Sequence, residues 1–522
     1  MANALMIQGT GSGAGKSVIV AALCRIFNDK GINVAPFKAQ NMALNSAITR
    51  DGGEMGRAQA LQAEAARVEP AVDMNPILLK ASGEMGSQVI IHGKVHASMK
   101  TREYYAFRQT AWESVKASFD RLSQHYELII LEGAGSPAEI NLMDVDIVNM
   151  AAAKYAKAPV LLVGDIEKGG VFASLFGTVK LLGRQSRHIK GFIINKFRGD
   201  PAILKPGLDM IHGKTGKPVI GVLPYIFGIG LPEEDGLALQ KVSRSGPQVS
   251  DFEAIKVVVL RLKYMSNFTD FDPLQIEPDV ELVYSANPAD LEHADLVVIP
   301  GSKNTVKDLL WMKEQGLDAT IKLAYEKGVQ IIGLCGGYQM LGKKIFDPYA
   351  VESCNKTVDG LGLLNIETTF KKKKTTCQVE AELIDSSWLM AYAKKDISLK
   401  KLSAINNELL KGYEIHMGES EGDIGVFEIK RLSSGAERQT LKAERILDGS
   451  KKENCMGTYI HGIFENDLFR RNVLNMIRKR KGLTPLNDIC SYNGIKETAL
   501  NTLAGIVRGH IDMEFIERLA GL

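Results

Sequence analysis

Seven small residues, Gly9-Thr10-Gly11-Ser12-Gly13-Ala14-Gly15, lead into Lys16-Ser17 between an apolar segment at 4–9 and a helix-like stretch at 17–30. Few folds accommodate that order. Small side chains let successive backbone N–H groups turn toward one anion, and the following helix adds the positive end of its dipole. Lys16 can then reach the β- and γ-phosphates of a nucleotide, and the Ser17 hydroxyl can ligate Mg2+. The strict form of this loop has Gly five residues before Gly15; here that residue is Thr10, and Gly9 stands six before. The predicted phosphate loop comprises Thr10, Gly11, Ser12, Gly13, Ala14, Gly15, Lys16 and Ser17.

Such a loop belongs in a parallel sheet, and the sequence supplies one. Strand-like runs at 4–9, 33–38, 128–133, 159–165, 191–197 and 218–224 alternate with helix-like stretches such as 17–30 and 55–67. Short, nearly continuous apolar strands of this kind indicate a sheet covered on both faces. A second α/β series follows at 256–262, 281–285, 295–302 and 329–337, with later runs at 412–420 and 455–464. The fold expected is therefore α/β, with two doubly wound domains. The predicted boundaries are 1–228 for the phosphate-loop domain, 229–253 for a linker, 254–470 for the second domain, and 471–522 for a helical extension packed on it. The Lys371–Lys374 run and the 380–410 stretch read as a solvated insertion.

With 522 residues, the chain has room for two to four domains. Lys and Arg total 64 against 61 Asp and Glu, so charge gives no reason to expect a nucleic-acid partner. No apolar run approaches the ~18 residues of a membrane span, and the N-terminus lacks the basic region of a signal peptide. The six Cys form no C-x-x-C pair, which argues against a zinc cassette or a disulfide framework. A cytoplasmic location is expected.

A phosphate loop needs an acid at the end of a neighbouring strand. Glu132 in LIILEGAGS is so placed, as a metal-side carboxylate or as a cap on the next helix. Asp51, Asp144, Asp146 and Asp165 are weaker candidates. Asn195 in INKFRGD can read a purine edge, or else close an Asx turn. Arg198 fills the position where a guanine-reading Asp would stand, which favours adenine and hence ATP.

The second domain carries its own chemistry. An apolar strand runs into Gly333-Leu334-Cys335-Gly336-Gly337-Tyr338-Gln339, the cysteine form of a strand-to-helix nucleophile elbow. The helix N-terminus favours the thiolate, and the backbone N–H at Gly336 can hold an oxyanion. A Cys nucleophile needs a base. His461 in GTYIHGIF is the first candidate and His416 in GYEIHMGES the second.

The long phosphate loop resembles that of the dethiobiotin synthetase and MinD-like proteins. G-x-C-x-G-x-Q with a distant His resembles the class I glutamine amidotransferases. Most of these carry Glu two residues after the His. Ile463 stands there, a departure that resembles the cobyrinate-amidating subgroup, which works with a Cys–His pair and lacks the usual third member. Blocks such as PFKAQNMALNS, EMGRAQ, LEGAGSPAEINL, SNFTDFDPL, PGSKNT, GLCGGYQMLG, GYEIHMGE and GTYIHGIF resemble cobyric acid synthases from residue 6 to about 464. This resemblance implies an ATP- and glutamine-consuming ligase in cobalamin biosynthesis. It would amidate side chains b, d, e and g of adenosylcobyrinic acid a,c-diamide, with Cys335 as nucleophile and His461 as base. A CTP synthase-like ligase and a MinD-like switch with an inactive glutaminase are the competing readings.

Overall fold

The computed structural model describes residues 2–81, 86–231, 254–387, 409–432 and 445–522. These fall into two units. One takes the described residues before 232, apart from Arg50–Gly52, together with Gly494–Leu522. The other takes Arg50–Gly52 and the described residues from 254 to 493. All but the first three residues of the expected linker at 229–253 lie outside the described residues.

In the first unit the expected strands form as β1 (Asn3–Gly9), β2 (Val34–Phe37), β3 (Leu128–Glu132), β4 (Val160–Asp165), β5 (Ile189–Phe197) and β6 (Val219–Pro224). They pair in parallel in the order β6-β5-β4-β1-β3-β2. The alternation of side chains explains why each strand reads as continuously apolar. Met6, Ile129, Leu131 and Leu162 enter the core on one face, while Leu5, Ile7, Ile130 and Val163 enter that on the other. Helix α1 (Lys16–Asp29) covers the second face with Ile19, Val20, Leu23, Ile26 and Phe27. A small four-stranded sheet (Gln40–Met42, Ile77–Ala81, Gly86–Ile91, Lys94–Lys100) is built into this unit as well.

The second unit contains β7 (Ile255–Leu260), β8 (Val280–Ser285), β9 (Leu296–Ile299), β10 (Gln330–Leu334), β11 (Ser450–Lys452) and β12 (Cys455–Thr458). The sheet order is β8-β7-β9-β10-β12-β11, parallel except for the antiparallel edge strand β11. Helix α2 (Gly336–Leu341) leaves the end of β10.

Three expectations need correcting. The GYEIHMGES run lies in strand Leu409–Gly422, which pairs antiparallel with Ile366–Leu383 in a separate sheet rather than joining the parallel one. Lys371–Lys374 belong to strand Ile366–Leu383, at a register irregularity between Phe370 and Thr375. Lys372 and Lys373 are exposed, but Val379, Ala381 and Leu383 alternate into the core, so this stretch is not a solvated insertion. Residues 388–408 of the expected insertion lie outside the described residues. Finally, the C-terminal helices do not all pack on the second domain. Helix Asp467–Arg480 does, but after it α3 (Tyr492–His510), α4 (Met513–Ala520) and the link between them place Leu500, Leu503, Val507, Ile511 and Ile516 in the core that α1 shares. Buried Arg25 of α1 fastens α3, donating to Glu497 and to Asn501 Oδ1 (2.9 Å).

Among the described residues, no helix is long and apolar enough to cross a membrane. Nor does any group of three or more His, Cys, Asp or Glu among them form a ready metal cluster.

Candidate functional site

The phosphate loop lies at the carboxyl end of β1, where open α/β sheets bind ligands. Gly15 caps α1 with φ 97°, a backbone state closed to most side chains. A Cβ there would lie 2.1 Å from Asn195 Nδ2. That same Nδ2 donates to the Ala14 carbonyl (2.9 Å), while Asn195 Oδ1 accepts from the Lys196 N–H. Asn195 therefore ties its strand to the phosphate loop. Lys16 folds back over the loop, its Nζ donating to the Gly11 carbonyl (2.9 Å). Ser12 and Gly13 are exposed at the loop's tip, and Thr10 is half-buried at its start.

Glu132, at the end of β3, is buried and surrounded by donors. Oε1 accepts from Ser17 Oγ (2.8 Å) and Lys38 Nζ (2.9 Å), and Oε2 from Gln62 Nε2 (2.6 Å) and Gln59 Nε2 (3.4 Å). Burial alone would raise its pKa, but the Lys38 charge and the hydrogen bonds from Lys38, Gln62 and Ser17 bring it below the usual value. The carboxylate is kept ionised beside the Ser17 hydroxyl. Those two are hard oxygen donors of the type Mg2+ takes. Lys38, not singled out in the sequence reading, shares the same carboxylate. Its only signal was its place one residue after β2.

The weaker acids are committed elsewhere or stand in solvent. Asp146 accepts from the N–H groups of Val148, Asn149 and Ala151. Asp165 pairs with Lys196 (2.9 Å) and accepts from the Glu167 N–H. Asp51 and Asp144 are exposed.

In the second unit, Cys335 sits between β10 and α2 with φ 51° and ψ −107°. A non-glycine residue at positive φ is strained, and such strain concentrates at functional sites. The two following glycines are required by close backbone approach. A Cβ at Gly336 would meet the Ser302 nitrogen at 2.9 Å, and one at Gly337 would meet the Ile299 carbonyl oxygen at 1.9 Å. The Gly336 N–H therefore lies at the elbow, where the oxyanion donor was expected.

Adjacent strands bring the pair together. Leu334 of β10 stands opposite Thr458 of β12, and Cys335 N donates to the Thr458 carbonyl (2.9 Å). His461 follows β12 by three residues. Its Nδ1 lies 2.6 Å from Asp270 Oδ2, and its ring stacks on Tyr413 at 5.2 Å between centroids. Nε2 is buried and interacts with the Cys335 thiol. Burial would lower the imidazole pKa, but the negative charge of Asp270, reinforced by Cys335, raises it well above the ordinary value.

The sequence reading did not find Asp270. It lies in SNFTDFDPL, nearly 200 residues before His461, so no local spacing connects them. His416 is excluded as the base by its partners: Nδ1 faces the Gly418 carbonyl (2.7 Å), Nε2 faces Glu414 (3.2 Å), and the ring stacks on Tyr459.

Two family descriptions divide the chain along the same lines. Residues 5–237 match the CobQ/CobB/MinD/ParA nucleotide binding domain, and residues 256–469 match the CobB/CobQ-like glutamine amidotransferase domain. The chain is 48% identical to a cobyric acid synthase of Thermodesulfovibrio yellowstonii over 522 residues, all of both chains. It is 47% identical to that of Caldanaerobacter subterraneus subsp. tengcongensis, covering 99% of each chain. With that of Desulfitobacterium hafniense it shares 45% identity, over 99% of this chain and 98% of the other. A nucleotide-binding unit and a glutaminase-type unit on one polypeptide, matched end to end by these relatives, place the chain in the cobyric acid synthase family, whose members are amidating ligases.

Proposed function

We propose that the protein converts adenosylcobyrinic acid a,c-diamide to adenosylcobyric acid in the cytoplasm. The reaction amidates side chains b, d, e and g at the expense of glutamine and ATP. The observation that supports this reading is that Cys335 meets His461 and Ser17 meets Glu132 in a chain whose whole length aligns with the family.

Cys335 attacks the carboxamide of glutamine, giving a γ-glutamyl thioester and ammonia, and water then frees glutamate. His461 Nε2 takes the thiol proton and returns it to the departing nitrogen, while the Gly336 N–H faces the developing oxyanion. In the first unit ATP phosphorylates a corrin carboxylate, because a carboxylate oxygen is too poor a leaving group for direct amide formation. Ammonia then displaces phosphate. Loop residues Thr10–Gly15 and Lys16 cradle the phosphates, and Asn195 holds the loop in shape. Mg2+, which neutralises charge on the transferring phosphoryl group, would be held by the Ser17 hydroxyl and the Glu132 carboxylate.

The test is mass spectrometry of the corrinoid product after incubation with ATP and glutamine. Four successive carboxyl-to-amide conversions are expected, and UTP offered as acceptor should give nothing. Cys335→Ser should lose glutamine-dependent amidation but keep it with ammonium salts at alkaline pH. Lys16→Ala should lose both. Failure of Cys335→Ser with ammonium, in a folded protein, overturns the division of labour.

A further inference from the structure

We propose that Asp270 is the positioning residue that completes the glutaminase centre, supplied by the loop after β7 in place of a carboxylate two residues beyond the histidine. This rests on the reading of Cys335 and His461 given above. The position two beyond His461 is Ile463, fully buried in the apolar core, so no carboxylate can serve from there.

Asp270 grips both the ring and its backbone. Oδ2 lies 2.6 Å from His461 Nδ1, and Oδ1 accepts from the Gly462 N–H at 3.0 Å. This fork fixes the rotation of the imidazole as well as its place in the chain. Because an ionised carboxylate only accepts, Nδ1 must carry a proton in either charge state of the ring, and Nε2 is the nitrogen that exchanges one with the thiol. That Nε2 is buried on the side of the ring away from Asp270, toward Cys335. Asn267 takes positive φ (53°) just before the short turn Phe268–Phe271 that carries Asp270. From the other side, the Tyr413 ring lies nearly parallel to the imidazole (14°).

The proton balance follows. The Cys335 proton passes to Nε2 as the S–C bond forms, and then to nitrogen as the C–N bond breaks and ammonia leaves. In the second half, water gives a proton to Nε2 as it attacks the thioester, and the S–C bond breaks to restore the thiol. In both halves the imidazolium forms against the fixed negative charge of Asp270. Asp270 touches neither substrate nor thiol, so its role is to orient His461 and stabilise its charged form.

The titratable groups that face the imidazole are Asp270 from the loop after β7, Cys335 from the elbow, and Tyr413 from strand Leu409–Gly422. Glu465 lies beyond Gly462. Asp270→Asn removes one charge and keeps the shape. Glutamate release should then fall by about 10²- to 10⁴-fold in kcat with little change in KM. The window in which thiolate and imidazolium coexist should narrow from both sides, its acid limb moving up and its alkaline limb down. Iodoacetamide alkylation of Cys335, followed by peptide mass spectrometry against pH, reads those limbs without turnover. Asp270→Glu should recover part of the rate. In the unsubstituted protein, the proton NMR spectrum should show a far-downfield His461 Nδ1–H resonance, which needs no variant to fold. The proposal is overturned if Asp270→Asn keeps its rate within threefold with unmoved limbs, or if the resonance is absent. Wild-type protein that releases no glutamate would instead overturn the underlying reading of Cys335.

Discussion

Replacing Lys38 by Met removes a positive charge bonded to Glu132 and leaves an apolar stem of similar length. The carboxylate is 1% exposed and the ammonium 7%, so the pair is a buried one. Breaking such a pair from one side costs about 3–5 kcal/mol. Ser17, Gln59 and Gln62 still donate to Glu132, which places the cost near the lower end, about 3 kcal/mol. The sign of the pH dependence then reverses. In the native protein Glu132 has a depressed pKa, so its contribution is present above the ordinary carboxylate range and lost as pH falls through the depressed value. In Lys38→Met the carboxyl has a raised pKa, so its penalty is absent in acid and grows as pH rises through that raised value. The stability gap between the two proteins should therefore narrow from pH 8 to pH 5. Trp112 lies in the first unit, and replacing Trp311 and Trp388, the other two of three tryptophans, by Phe makes it the sole reporter. Urea titrations followed by its fluorescence give the gap at each pH. A gap below about 1 kcal/mol at both pH values would show that Lys38 does not carry the charge balance of this acid.

At the elbow, Gly337→Ala sets a methyl group 1.9 Å from the Ile299 carbonyl oxygen, a backbone atom that cannot swing away. It should destabilise the second unit by about 3 kcal/mol or more and abolish glutamate release, read by Trp311 fluorescence and a glutaminase assay. Leu503→Ala should cost the first unit about 2–5 kcal/mol in the same Trp112 titration, because Leu503 is fully buried in the core with α1. No loss there would mean that α3 is not part of that core. Glu352 is pushed up to about 8 by burial, against hydrogen bonds from the Val306 and Thr305 N–H groups. Its raised pKa means stability falls as pH climbs from the ordinary carboxylate range to about 8, and Glu352→Gln should flatten that decline in urea titrations at pH 6 and 8.

The parallel strands were legible because a strand buried on both faces writes itself as an unbroken apolar run. Leu128–Glu132 and Gln330–Leu334 needed no tertiary information. The elbow was legible for a related reason: backbone contacts at Gly336 and Gly337 exclude a Cβ, and that constraint is visible in the letters CGG. The destination of the C-terminal helices was not. Amphipathic helices announce an apolar stripe but not which core receives it, and the stripe of α3 fits against α1, whose Arg25 is matched by Glu497 and Asn501.

Asn195 and Asp270 show what reading by position leaves out. Asn195 stands near a strand end beside the phosphate loop, a position that suggests a contact with nucleotide and says nothing of the loop itself. Its amide bonds the Ala14 carbonyl, and Gly15 must be glycine to leave room for it. Asp270 lacks even a positional clue, since the partner that gives it meaning follows β12, which two strands of the sheet separate from β7. Function in such a site is carried by the charge a side chain faces, and that depends on which loops the sheet's crossovers bring side by side. A carboxylate moved from one loop to another preserves the field at the imidazole while erasing the sequence spacing that would reveal it. The absence of Glu after His461 is thus evidence about where the carboxylate is attached, and no evidence that the imidazole works without one.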